Sequence, residues 1–132
     1  MPDRTADSQF ERYVRRTLAA LPEPIARQVD GVVVCVMEYP DPETMTEMGV
    51  TDAFDLLGLY HGVSINNKSV FDPGYEPDLV FLYRQPILAY ARATGQTLEA
   101  VVRHVTIHEI GHHFGFSDED MDALEEMAER GE

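Results

Sequence analysis

The stretch His108-Glu109-Ile110-Gly111-His112-His113-Phe114-Gly115-Phe116-Ser117-Asp118 decides how this chain is read, and its skeleton is His-Glu-x-x-His-x-x-Gly-x-x-Asp. Val101, Val105, Ile107, Ile110 and Phe114 give the same region the apolar face of a helix packed on a core. Residues four apart on a helix project from nearly the same face. His108 and His112 therefore present two imidazoles to one metal ion. Glu109 lies about 100° round the helix from His108. Its carboxylate stands beside the ion, where it can take a proton from a water that the metal activates.

Gly115 ends the helix, because a left-handed residue lets the chain turn sharply and glycine adopts that conformation without steric cost. The turn brings back Asp118, the candidate third ligand. Two neutral imidazoles and one anion suit zinc and leave a fourth position open. Ser117-Asp118-Glu119-Asp120 also reads as a helix start, so Asp118 is a helix cap in the competing reading. The two roles can coexist. If Asp118 only caps, then Asp122, Glu125 or Glu126 on the final helix is the next candidate. His113 is five residues from His108, about 140° away, and cannot share its ion without breaking the helix. His104, four residues before His108, belongs to an outer shell, since three histidines at this spacing drift by about 80°. Gly111 costs about 1 kcal/mol in a helix relative to alanine. The expected compensation is another backbone packed close against that face.

The chain has 132 residues, of which 44% are hydrophobic, which predicts a single domain, 1–132, with a real core and a flexible start over 1–8. Its net charge of −14, from 10 basic and 24 acidic residues, repels phosphate backbones and anionic lipid heads. Neither nucleic acid nor membrane is an expected partner. The lone cysteine, Cys35, sits in the apolar run Val32–Met37 and reads as a small buried hydrophobe. The first residues lack the apolar core of a signal peptide, and no stretch reaches the roughly 20 apolar residues of a membrane span, so the cytoplasm is the expected compartment.

Helical spacing runs from Ser8 to Leu21 and stops at Pro22 and Pro24. Ile25 to Val29 reads as a short helical turn or loop. Val32 to Met37 is a buried strand, and Pro42 to Asp55 a loop or weak helix. Leu57 to Ile65 is a second strand, whose glycines mark a bulge or a close backbone approach. Asn66 to Asp78 is a loop. Leu79 to Tyr83 is a third strand. Pro86 opens a helix that reaches Gly95. Thr97 caps the metal helix over Ala100 to His113, and a last helix runs from Ser117 or Asp118 to Ala128. The class is α+β, a small sheet of three or more strands beside a helical layer that includes the metal helix.

The chain resembles the zincins, metallopeptidases built around a His-Glu-x-x-His helix. Within them it is similar to small bacterial proteins described as minimal metalloproteases. The likeness rests on Leu56-Leu57-Gly58-Leu59-Tyr60, on Leu82-Tyr83-Arg84 with Pro86, and on His108 through Asp118, and it spans about Val32 to Glu126. It implies a zincin-like α+β fold, zinc held by His108, His112 and Asp118, and Glu109 as general base. It implies no particular substrate. The chain departs from the larger metzincin group, since aspartate replaces the third histidine and no methionine-containing turn is recognisable. Met121 and Met127 read as core residues.

The residues and the resemblance together predict a zinc-dependent metallopeptidase acting on a peptide or protein substrate. Tyr60, His61 and Tyr83 are candidates by type for polarising the substrate carbonyl, and the sequence does not place them. A peptide is expected to add as a strand beside Leu79–Tyr83 or Leu59–Val63. The alternative is a catalytically weak or inactive zincin scaffold that serves as a zinc-binding protein-interaction module.

Overall fold

A computed structural model describes residues 4–29, 31–61 and 78–130. Helix α1 (Arg4–Ala19) leads to the short α2 (Glu23–Gln28) and strand β1 (Val33–Met37). Helix α3 (Pro42–Met48) and a 3-10 turn (Ala53–Asp55) precede β2 (Gly58–His61). Then come β3 (Leu79–Tyr83), α4 (Arg84–Thr94), α5 (Leu98–Phe114) and α6 (Asp118–Glu129). The first helix begins at Arg4, ahead of the expected Ser8, so the polar start from Arg4 to Asp7 is helical. Pro42 to Met48, left between loop and weak helix by sequence, is a helix because Asp41 accepts from Thr44 N–H and Gly49 closes it at φ 69°. The expected second strand continues past His61 into residues 62–65, which lie outside the described residues, as does nearly all of the expected loop at 66–78.

The sheet order is β1-β3-β2. β1 pairs parallel to β3, with Val33 opposite Leu79, and β2 pairs antiparallel to β3, with Gly58 opposite Leu82. Val80 and Leu82 are fully buried toward the helices, as strand alternation requires. The core joins them to Phe10 and Val14 of α1, Ile87 of α4, Val101, Val105, Ile107 and Ile110 of α5, and Met121 of α6.

Helix α5 is the axis of the fold and packs on α1, α4, α6 and β2. Val101, Val102, Val105, Thr106, Ile107, Ile110 and Gly111 are all buried, as in a helix enclosed on several sides. Thr97 caps its start by accepting from Ala100 N–H, and Gly115 ends it at φ 74°. Ser117 then opens α6 with a reciprocal capping box to Asp120.

Two glycines mark close approaches. A Cβ on Gly58 would lie 2.6 Å from Val105 Cγ1 and 2.9 Å from the Phe81 carbonyl oxygen, so glycine lets β2 lie against α5. A Cβ on Gly111 would meet the Met121 side chain, 2.7 Å from its Cγ. The compensation at Gly111 is thus a side chain of α6, where the sequence led us to expect a backbone. Met121 is a core residue as expected, whereas Met127 is exposed. Cys35 is half-buried on the outer face of the sheet, and burial raises its thiol pKa.

Candidate metal centre

His104, His108 and His112 succeed one another along one side of α5. The His104 and His108 ring centroids are 4.1 Å apart. Those of His108 and His112 are 6.1 Å apart, with planes at 88°. Glu109 follows His108 and faces the same side, its Oε2 3.9 Å from His112 Nδ1. The Glu109 side chain is only 16% exposed while the His112 ring is 68% exposed. Burial lifts the Glu109 carboxyl above the usual carboxylate range, with His112 pulling it back. Burial also lowers the His108 pKa, helped by His104 and opposed by Glu125. His108 is thereby held toward the neutral imidazole that a metal requires.

Helix α6 runs back along α5 and lays Glu125 across two of the histidines. Glu125 Oε1 is 2.6 Å from His104 Nδ1, and its Oε2 is 3.7 Å from His108 Nε2. Among the described residues, His104, His108 and Glu125 are a set whose ligand atoms all lie within 4.8 Å of one another. Two imidazoles and a carboxylate are a donor set suited to zinc. His112 and Asp118 stand outside this set. Asp118 is the first residue of α6, exposed, and the cap itself is Ser117. His113 stacks on Tyr60 at 4.3 Å, off the histidine row, as its place on the helix predicts.

A groove of about 300 Å³ opens over this row. Its walls are Asp55 to Gly58, Tyr90 of α4, and His104, Val105, His108, Glu109 and His112 of α5. A larger depression of about 480 Å³ lies elsewhere, between Arg16, Glu99, Arg103 and Glu129. It contains no histidine, and its Arg16–Glu99 pair at 2.7 Å answers its own charge. The histidine row and Glu109 line the smaller groove.

Of the three residues considered for polarising a carbonyl, none lines that groove. The Tyr60 hydroxyl donates to Asp78 at 2.9 Å, and burial raises its pKa, with that bond adding to the rise. His61 lines a separate depression on the outer face of the sheet. Tyr83 is buried, within electrostatic reach of Glu109, and its pKa is raised chiefly by burial. Tyr90, which sequence reasoning did not single out, is exposed and lines the groove. Its only signal in the sequence was a helical position on α4, and nothing in that spacing shows that α4 flanks α5.

No curated protein matches the chain. A family model for zincin-like metallopeptidases matches residues 29–128, from the end of α2 to the last turn of α6, and the chain belongs to that family.

Proposed function

We propose that the chain hydrolyses peptide bonds in a zinc-dependent reaction, with Glu109 as the general base. The observation that carries this reading is Glu109 itself: a carboxylate shielded from solvent, with a raised pKa, between His108 and His112 on the wall of an open groove. His108 and His112 are the imidazole ligands, and the third donor is a carboxylate of α6, for which the motif spacing nominates Asp118. A bound zinc supplies Lewis acidity, which brings the pKa of water toward neutrality and polarises a carbonyl. Glu109 accepts the proton of the attacking water and delivers it to the departing amine. Its raised pKa suits both transfers, since a group that titrates nearer neutral pH serves as base and then as acid.

The sheet also narrows how a substrate enters. β3 has a partner on each side, so it offers no edge to a peptide. Among the described residues β2 pairs only with β3, and its Gly58 lines the groove. An extended peptide adding along β2 would be held by main-chain hydrogen bonds beside Glu109. Tyr90 of α4 also lines this groove and would offer its hydroxyl to the substrate.

The test is digestion of a diverse peptide library by the zinc-loaded protein. Cleavage is expected, and Glu109→Gln should abolish it while retaining zinc. A library left intact under all conditions would overturn the peptidase reading. A stoichiometric partner that co-purifies equally with wild type and Glu109→Gln would instead support the interaction-module alternative.

A further inference from the structure

We propose that the outer face of the sheet, where α3 borders it, docks a cationic peptide segment of another protein, one that presents bulky apolar side chains between lysines or arginines. This surface lies on the side of the sheet away from the helical core and apart from the histidine groove, so the proposal does not depend on peptidase activity.

Strand alternation sets the chemistry of this face. Val80 and Leu82 are fully buried on the inner side, so Leu79 and Phe81 belong to the outer side. The register places Cys35 of β1 and Leu59 of β2 on either side of Phe81. Val33 and Met37, also on β1, are 42% and 47% exposed. Parallel strands such as β1 and β3 are ordinarily covered on both faces. The apolar surface continues through Tyr39, which meets Phe54 edge to face at 5.7 Å, both rings exposed. Exposed apolar side chains gathered in one place mark a contact surface, unlike the same residues scattered singly.

The face is hollowed into a depression of about 310 Å³, with α3 as one wall. None of the seven residues of α3 is buried, so this helix adds nothing to the core. What it brings is charge, since Asp41, Glu43 and Glu47 all line the depression. Asp41 is engaged in capping α3 through Thr44 N–H. The carboxylates of Glu43 and Glu47 have no ion-pair partner among the described residues. Elsewhere acidic side chains meet arginines, as in Glu38–Arg84 at 3.1 Å and Glu99–Arg16 at 2.7 Å. No lysine or arginine lines the depression, and Arg84, next to Tyr83, is taken by Glu38. The missing cations come from the occupant. Nucleic acid and anionic lipid are repelled by this rim. A two-fold contact with a second copy would set Glu43 and Glu47 of both copies against each other. A basic segment satisfies the rim and the apolar floor together.

Fluorescence anisotropy with a labelled peptide of alternating lysine and leucine tests this, on the full chain carrying Glu109→Gln so that the probe is not cut. The peptide should bind, and a twin with glutamate in place of lysine should not. Glu43→Gln combined with Glu47→Gln should weaken binding about tenfold, and the difference should shrink in high salt. Met37→Thr should weaken it about threefold or more at any salt concentration. All three positions are exposed, and circular dichroism checks that each variant folds. Equal affinity for both peptides, or unchanged affinity in the Glu43/Glu47 double variant, would overturn the proposal. So would loss of binding in Asp55→Asn alone, which would place the peptide in the histidine groove. Sedimentation that shows a dimer abolished by Met37→Thr would give the face to a second copy instead. A peptide that binds only after Lys68→Gln would give it to residues 62–77 of the same chain.

Discussion

Gly111 and Met121 occupy one space: the Met121 side chain fills the position that a Cβ on residue 111 would need. Gly111→Ala gains about 1 kcal/mol in helix propensity. It also forces the buried Met121 aside, an overpacking cost of about 1–3 kcal/mol. Denaturant melts of the metal-free protein should show a net loss of stability. In a Met121→Ala background the same change should become neutral or stabilising, because the clash is gone. Additive effects would show that α6 does not bear on α5 at this point.

Glu109→Gln should stabilise the metal-free protein at neutral pH. The folded-state pKa of Glu109 lies above its ordinary value, chiefly through burial. A carboxyl raised in this way binds more protons in the native state than in the unfolded one. Stability then declines as pH rises through the interval between the two pKa values, and the ionised group remains a cost above it. Thermal melts in a chelator should show Glu109→Gln above wild type at pH 7. The gap should close as pH falls toward about 4, where the free carboxyl also protonates. A lower melting temperature at pH 7 would contradict the burial argument.

Thr106 offers a change remote from the groove. Its side-chain oxygen is buried and has no hydrogen-bond partner among the described residues. Thr106→Val preserves shape and removes the unpaired hydroxyl, so stability should rise by about 1 kcal/mol. Peptidase activity and zinc content should not move. A loss of stability would mean that the hydroxyl is satisfied in solution.

Tyr90→Phe tests the hydroxyl that α4 brings to the groove. A hydroxyl that meets the reacting carbonyl contributes to the transition state more than to ground-state binding. The variant should lower kcat by roughly 10- to 100-fold with little change in KM, below the 100- to 1,000-fold typical of a full oxyanion-hole donor. Zinc affinity should be unchanged. Unaltered kcat would reduce Tyr90 to part of the groove lining.

Much of the fold was legible because local rules were sufficient. β3 begins and ends at Leu79 and Tyr83 as the apolar run predicts, and Thr97 and Gly115 bound α5 as their side-chain and backbone preferences require. The position of Glu109 beside the histidines also followed from helical periodicity. What was not legible depends on how helices lie against one another. The pairing of Met121 with Gly111, the approach of Tyr90, and the reach of Glu125 to His104 and His108 are all contacts between elements. Spacing of four placed His104 near the metal face but gave no reason to join it to a carboxylate 21 residues later. The motif nominates Asp118, the first carboxylate after the turn, and the antiparallel return of α6 also brings a later one, Glu125, beside the rings.

The 2.6 Å link between His104 and Glu125 ties the last helix to the rest of the chain. If the cation is gripped from both helices, it works as a clasp, and removing it should loosen the chain's C-terminal end before anything else. Hydrogen exchange would then accelerate first between Asp118 and Glu129, and a protease that trimmed this segment would take Glu125 away from both histidines in a single cut.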